Sequence, residues 1–141
     1  MATKKTVVVE TGKDLFSCFI SKNSDLPFQI VGDGKTVRSA MEDFRQSVAE
    51  MKSYYEEIGK PFPDMEFEFV FDVGAFLNYY PINVTAFAEY IGMNTSLLRQ
   101  YASGLKTPKE KNLERIKAGI RQIAKDIAAG HLIDKPVLQY V

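Results

Sequence analysis

Five polar side chains between residues 95 and 103 are of the types that read the edges of DNA bases. Arginine pairs with guanine and glutamine with adenine through two hydrogen bonds each, and serine or threonine can serve either base. If this segment is helical, all of them point outward from one side of the helix. The predicted base contacts are Thr95, Ser96, Arg99, Gln100 and Ser103. Four neighbours are predicted to contact phosphates, namely Asn94, Lys106, Lys109 and Lys111.

The segment around these residues has the pattern of two short helices joined by a turn. Asn83 and Asn94 are each placed to cap the first turn of a helix. Gly92 between them can adopt the left-handed backbone that a tight turn requires, and Gly104 ends the second helix. The predicted buried positions are Phe87, Ala88 and Ile91 in the first helix and Leu98 and Tyr101 in the second, with Leu97 as a further candidate.

This arrangement resembles the helix-turn-helix of phage repressors and related regulators, which place the second helix in the major groove. The resemblance implies sequence-specific binding to double-stranded DNA. It also implies a homodimer or higher homo-oligomer, because two recognition helices about 34–36 Å apart match successive grooves of a near-palindromic operator. The alternative is an ordinary pair of packed helices whose polar face is only solvated.

Two more helices are predicted in the second half of the chain. Residues 72–81 begin with the cap candidate Asp72 and close with Pro81. After Pro108, apolar residues recur at helical spacing to about Gly130, which predicts a long amphipathic helix that could complete the core or form a dimer interface. The tail, residues 132–141, could dock on a partner subunit or be a loose end. We therefore predict an all-α helix-turn-helix domain over residues 72–141.

The first half has the pattern of a small antiparallel sheet covered by one helix, and the fold class is therefore α+β. Residues 6–10 and 15–21 are predicted to form a strand hairpin, with residues 29–31 as a third short strand. From the cap candidate Thr36 to Gly59, apolar residues recur every three or four positions, which predicts an amphipathic helix. Residues 65–71 alternate between apolar and charged types, which predicts a half-buried strand. Residues 1–71 are the predicted first domain.

The two halves carry opposite charge, although the net charge of the whole chain is zero. Residues 1–80 contain 9 Lys and Arg against 13 Asp and Glu, a net charge of −4. Residues 81–141 contain 9 against 5, a net charge of +4. A basic half suits a phosphate backbone, whereas an acidic half repels nucleic acid and attracts a basic protein. The halves are therefore predicted to have different partners.

Motifs in residues 5–72 follow one another in an order that resembles the HicB antitoxin family. A strand hairpin comes first, and the others are Asp25-Leu26-Pro27, then Gly32-Asp33-Gly34-Lys35-Thr36 entering a helix with Ala40, Met41 and Phe44, then Gly59-Lys60-Pro61-Phe62-Pro63. The chain departs from the family pattern after Pro27, where Phe28 and Gln29 replace a glycine and a small residue.

The HicB resemblance implies a partial RNase H-like fold followed by a separate DNA-binding module. It implies the antitoxin of a type II toxin-antitoxin pair, which blocks a small, basic HicA-like ribonuclease toxin and represses its own operon. The candidate toxin contacts are Asp25, Phe28, Glu66, Glu68 and Asp72, which could equally be surface carboxylates and a packing aromatic. The alternative function is a stand-alone helix-turn-helix regulator whose N-terminal domain oligomerises or binds another partner.

Other classes of function are disfavoured by what the sequence contains. It has no apolar run of about 18 residues and no secretory leader, so no membrane association and a cytoplasmic location are expected. With one cysteine, Cys18, and one histidine, His131, no metal site or other cofactor is expected. Enzyme activity is not expected either, since Glu10 and Asp14 lack the third carboxylate that a two-metal nuclease site needs.

Overall fold

The computed structural model describes residues 2–22 and 24–141 and has an α+β fold. Its contacts divide the chain into two compact units, one ending at Thr107 and the other running from Pro108 to Val141. In the described residues, the first unit contains a four-stranded sheet and four α-helices, and the second contains one long α-helix. We predicted a functional boundary between residues 71 and 72. The division by contacts does not test that boundary, which stays a prediction.

The sheet consists of β1 (Thr3–Thr11), β2 (Phe16–Ile20), β3 (Val31–Gly34) and β4 (Met65–Phe71), in the order β3-β2-β1-β4. β1 and β2 form the predicted hairpin, and β2 also pairs antiparallel with β3. β4 lies beside β1 and runs parallel to it, so the prediction of a purely antiparallel sheet was wrong. The reason is the helix between β3 and β4, which returns the chain to the end of the sheet where β3 began.

The third strand begins later than predicted. We predicted residues 29–31, bounded on the far side by Gly32, Asp33 and Gly34, whereas β3 contains Val31 and these three residues. Gly32 is buried against the covering helix, where a Cβ would lie 2.6 Å from Cα of Phe44. Glycine in a strand can mark such a close approach of two backbones as well as a turn. The sequence pattern alone does not distinguish the two.

The covering helix, α1 (Val37–Glu57), has the predicted boundaries. The side chain of Thr36 accepts a hydrogen bond from the backbone N–H of Ser39, and Ser39 Oγ accepts one from the N–H of Thr36. This reciprocal cap satisfies two donors that a helix start would otherwise leave unpaired. The chain leaves the helix through Gly59, which has a left-handed backbone with φ of 69°. Both predicted ends are therefore confirmed.

The main core lies between α1 and one face of the sheet. It includes Val7, Val9, Cys18, Ile20, Ile30, Val37, Ala40, Met41, Phe44 and Ala75. Phe44 is fully buried and meets Phe67 and Phe69 edge-on, with ring centroids 5.2 and 6.0 Å apart. These contacts hold β4 under the helix and confirm that Phe67 and Phe69 are on the inward side of the alternating strand.

Cys18 is a core residue and not a reactive thiol. It is fully buried, and desolvation by this burial raises the pKa of the thiol to about 11. Arg45 opposes the shift, while Asp33 and Asp43 add to it. Because thiolates and not thiols are nucleophiles, the side chain is inert near neutral pH.

Three short helices complete the first unit, namely α2 (Val73–Tyr79), α3 (Val84–Ile91) and α4 (Thr95–Ala102). α2 is held to β4 by Tyr79, whose ring stacks on that of Phe71 with centroids 5.3 Å apart. Asn78 Nδ2 donates to the carbonyl of Ala102 at 2.8 Å and so links α2 to α4. The position of α4 therefore depends on the sheet through α2.

The second unit contains α5 (Glu110–Ala129) and a single 3-10 turn (Val137–Tyr140). The predicted long helix is confirmed, and it ends before Gly130 as expected. The residues from 130 onward are exposed, including the apolar side chains of Leu132 and Leu138. None of the helices in residues 2–22 and 24–141 is both long enough and apolar enough to cross a membrane.

Candidate functional site

The α3–α4 pair has the caps and the turn that the sequence predicts. Asn83 Oδ1 accepts from the N–H of Ala86 at 2.9 Å, and Asn94 Oδ1 accepts from the N–H of Leu97 at 3.0 Å. Between them Gly92 is left-handed, with φ of 68° and ψ of 33°. An L-residue with a side chain rarely adopts this backbone, so glycine allows the chain to reverse direction within a few residues. The left-handed backbone of Gly92 and the cap at Asn94 therefore both determine where α4 begins.

Buried side chains set which face of α4 is exposed. Leu98 and Tyr101 are buried, as predicted, and so are Phe87 and Ala88 of α3. Ile91 and Leu97 are half-buried. With its apolar face fixed in this way, α4 can present only its opposite face to a ligand.

The exposed face of α4 carries the predicted base-contact residues. Ser96, Arg99 and Ser103 are exposed, whereas Thr95 and Gln100 are half-buried. An α-helix with its side chains is about 10–12 Å in diameter, close to the width of the major groove of B-DNA. Four of the five residues belong to α4, and Ser103 is the cap residue directly after it.

Gln100 does not point fully outward as predicted. Its side-chain oxygen is buried and has no hydrogen-bond partner among the described residues. A buried acceptor without a partner costs about 1–3 kcal/mol, so little holds this side chain inward when a donor is offered outside. The backbone carbonyl of Gln100 is used locally, because it accepts from Ser103 Oγ and from the N–H of Lys106.

Arg99 is held by a residue that the sequence analysis missed. Its Nη2 donates to Oγ1 of Thr85 on α3 at 2.9 Å. A guanidinium has five N–H donors in a rigid fork, so this bond orients the group and leaves other donors for a ligand. No local pattern in the sequence indicates the pairing, because it depends on how α3 crosses α4.

We expect Thr85→Val to reduce discrimination between operator and random DNA by about three- to tenfold, the value of one hydrogen bond of about 0.5–1.5 kcal/mol. Valine keeps the shape of threonine and removes only the hydroxyl that positions Arg99. Thr85→Ser is the matched control and should keep most of the discrimination. Fluorescence anisotropy with both DNAs measures the effect. If Thr85→Val causes the same loss in an Arg99→Ala background, the two residues do not act together.

The predicted phosphate contacts lie in both compact units. Asn94 uses its oxygen in the helix cap, and Lys106 is exposed two residues after the left-handed Gly104. Lys109 and Lys111 belong to the second unit, where Lys109 immediately precedes α5 and both are exposed. Lys106 therefore lies in the first unit together with Arg99, whereas Lys109 and Lys111 do not.

The predicted partner contacts are not gathered at one place. Glu66 and Glu68 are exposed on β4, where Glu68 forms a 3.3 Å ion pair with Lys4. Asp25 is exposed in the loop before β3. Phe28 packs inward, with its ring stacked on Phe62 and edge-on to Tyr55.

Asp72 has a structural task that the sequence analysis recognised only in part. Its carboxylate caps α2 by accepting from the N–H of Ala75 at 2.8 Å. It also accepts from the N–H of Thr11 at 2.7 Å and from Oγ1 of Thr11 at 2.8 Å. These bonds tie the end of β1 to the start of α2. A partner could therefore bind only the carboxylate lone pairs of Asp72 that these three hydrogen bonds leave free.

We expect Asp72→Ala to lower the free energy of unfolding by about 2 kcal/mol, because the change removes a helix cap and charge-assisted hydrogen bonds to Thr11. Asp72→Asn keeps a capping oxygen and is expected to lower the free energy of unfolding by about half as much. Urea denaturation of both variants provides the measurement. A loss below about 0.5 kcal/mol for Asp72→Ala would show that water replaces the hydrogen bonds of the Asp72 carboxylate at little cost.

No metal centre is evident in the part of the chain that the structure describes. In residues 2–22 and 24–141, no group of three or more His, Cys, Asp or Glu side chains is placed to hold an ion. Glu10 and Asp14, the carboxylates considered for a nuclease site, are both exposed.

Comparison with protein families, with curated proteins and with solved structures found no match to this chain.

Proposed function

We propose that this protein is a DNA-binding antitoxin, which reads its own operator with α4 and holds a small basic toxin with its N-terminal sheet. The observation that carries the DNA half is the capped α3–α4 pair, whose buried residues leave a polar face with Arg99 at the surface. The protein acts in the cytoplasm, without a cofactor and without enzymatic activity of its own.

The DNA half is supported by the chemistry of this face. Arg99 supplies a bidentate donor pair for guanine, and Gln100 can pair with adenine once its side chain turns outward. Ser96 and Thr95 lie in the first turn of α4, which is the part of a recognition helix that enters the groove. Lys106 supplies a phosphate contact close to the end of the helix.

Binding to an operator is proposed to require two copies of the chain. A single α4 of this length contacts only a few base pairs. Most of its affinity then comes from phosphate contacts, which carry no sequence information, so one copy discriminates poorly between operator and random DNA. Two copies related by a twofold axis read a near-palindromic site with half-sites about 34–36 Å apart. The length of α5 suits such a dimer interface.

The toxin-binding half is supported by the ordered motifs that resemble the HicB family and by the acidic charge of the first half. A sheet covered by one helix is also the type of α+β unit that the resemblance implies. Electrostatic attraction between an acidic antitoxin and a basic ribonuclease raises the association rate and favours the correct partner.

A stand-alone regulator is the second candidate, and one observation favours it. The chain departs from the family pattern at Phe28, and this ring is packed on Phe62 and Tyr55 instead of being presented to a partner. If the loop does not bind a toxin, the N-terminal sheet serves oligomerisation or another ligand while α4 still binds DNA.

Two experiments test the proposal together. The tagged protein is purified from its native host in high salt, which strips contacts mediated by DNA, and co-eluting proteins are identified by mass. A stoichiometric, small, basic companion with ribonuclease activity is the result expected for an antitoxin. A pure protein that still binds DNA supports the stand-alone regulator. Selection from a random DNA pool tests the other half, and failure to enrich any sequence contradicts operator binding.

A further inference from the structure

The face of the sheet opposite α1 presents an apolar row that crosses all four strands. In the strand register, Val31 of β3 lies beside Phe19 of β2, Phe19 beside Val8 of β1, and Val8 beside Val70 of β4. Neighbouring strands are about 4.8 Å apart, so this row is about 14 Å long. We refer to Val31, Phe19, Val8 and Val70 as the apolar row.

The apolar row is accessible. Val31 is 52% exposed and Val70 is 39% exposed, while Phe19 and Val8 on the central strands are half-buried. Residues on the opposite side of the same strands, such as Val7 and Cys18, are fully buried under α1. The residues next to these on each strand therefore point to the other face of the sheet, which the described residues of the first unit leave more exposed. Apolar residues that line up across a sheet form a contiguous patch, which is typical of a binding surface.

Carboxylates border the apolar row on both sides. Glu10 and Asp33 lie on the side toward the end of β1, and Glu66 and Glu68 lie on the other side. Among the strand residues on this face, Lys4 is the single cation, and it pairs with Glu68 at 3.3 Å. Four carboxylates against one ammonium give the face a net charge of −3. The patch is therefore apolar at its centre and acidic at its rim.

This charge pattern restricts what can bind there. Nucleic acid and anionic membrane surfaces carry negative charge and are repelled by the rim. A second copy of the same face would place −3 against −3, and like-charge juxtaposition across an interface is unfavourable. A protein surface with an apolar ridge between lysines or arginines satisfies both the centre and the rim.

We infer that the apolar row and its acidic rim are the docking surface for a basic protein partner. This inference rests on the toxin-binding half of the proposed function and assigns to that partner a surface that includes Val31, Val70, Glu10 and Asp33. The partner contributes apolar side chains to the row and cations to the rim. The loop with Asp25 and Phe28 lies outside this surface.

Site-specific photocrosslinking in the native host tests the assignment. A photoreactive amino acid replaces Val70 in one variant and Ile58 in a control, because Ile58 is equally apolar and 43% exposed but lies at the end of α1. The expected result is an adduct at position 70, and not at position 58, with a second protein of net positive charge. An adduct with another copy of this chain overturns the inference.

The crosslinked partner is then produced in pure form, and its affinity is measured for Val70→Asp and for Ile58→Asp. We expect Val70→Asp to weaken binding at least about tenfold, because it places a carboxylate in the apolar row, and Ile58→Asp to leave it within about twofold. Val31→Asp provides a second variant on the other edge strand, should Val70→Asp fail to fold.

Failure of the inference and failure of the proposed function give different results. A partner that is retained in the high-salt purification and binds Val70→Asp and Val31→Asp normally occupies another surface, which overturns the inference alone. Absence of any partner, both at position 70 and in the purification, overturns the inference together with the antitoxin function. Operator binding by α4 is measured separately and should be unchanged in all of these variants.

Discussion

Arg99→Ala is expected to weaken binding to the selected operator about tenfold to a hundredfold and binding to random DNA only about two- to threefold. A bidentate arginine–guanine pair contributes about 1–3 kcal/mol of discrimination, and each 1.4 kcal/mol is a factor of about ten. Arg99 is a sharper probe than Gln100, since Thr85 already orients its guanidinium whereas the oxygen of Gln100 is turned inward. Anisotropy titrations with both DNAs at one salt concentration measure the ratio.

Lys106→Ala is the matched control for Arg99→Ala. Lys106 follows α4 and is exposed, so its loss should weaken binding to operator and random DNA by similar factors. It should also make the plot of log affinity against log salt shallower by about 0.9, the value for one phosphate contact. If Arg99→Ala instead reduces both affinities equally, Arg99 is a phosphate contact and α4 does not read sequence through it.

The parts of the fold that the sequence predicted well are those that depend on neighbouring residues. Caps at Thr36, Asn83 and Asn94 need only a side-chain oxygen close to the next few N–H groups. Gly92 was predicted to form the turn between two helices and Gly59 to end one, and both have the left-handed backbone that these positions use. These interactions span three or four residues, so the sequence contains all that determines them.

The features that were missed depend on contacts between distant residues. The parallel pairing of β4 with β1 depends on where α1 returns the chain, which the alternation in β4 does not encode. Asp72 bonds to Thr11 across 61 positions of sequence, and Arg99 to Thr85 across 14. Likewise, the apolar row appears only when the register of all four strands is known, since its members are spread from residue 8 to residue 70.

For the same reason, the two glycines of β3 were predicted to lie beyond the strand, and Gly32 is the position where this error has a measurable consequence. We expect Gly32→Ala to lower the free energy of unfolding by about 3 kcal/mol or more, at the upper end for overpacking a core. The added Cβ would lie 2.6 Å from Cα of Phe44 and 2.7 Å from the carbonyl oxygen of Ala40, and it would also meet the backbone nitrogen of Phe44. Backbone atoms of a helix cannot rotate away as a side chain can, so β3 and α1 must separate.

Gly59→Ala separates this effect from backbone conformation. Gly59 has a φ of 69° but nothing within 4 Å of the position of a Cβ, so alanine there meets only the left-handed strain of about 1–2 kcal/mol. Urea denaturation of the two variants should therefore rank Gly32→Ala as clearly the less stable. If the two lose similar stability, β3 can move away from α1 at little cost, and the glycines of β3 are not required for the close packing of strand and helix. A large loss at Gly32 alone shows that close packing on α1, and not turn formation, requires glycine in this strand.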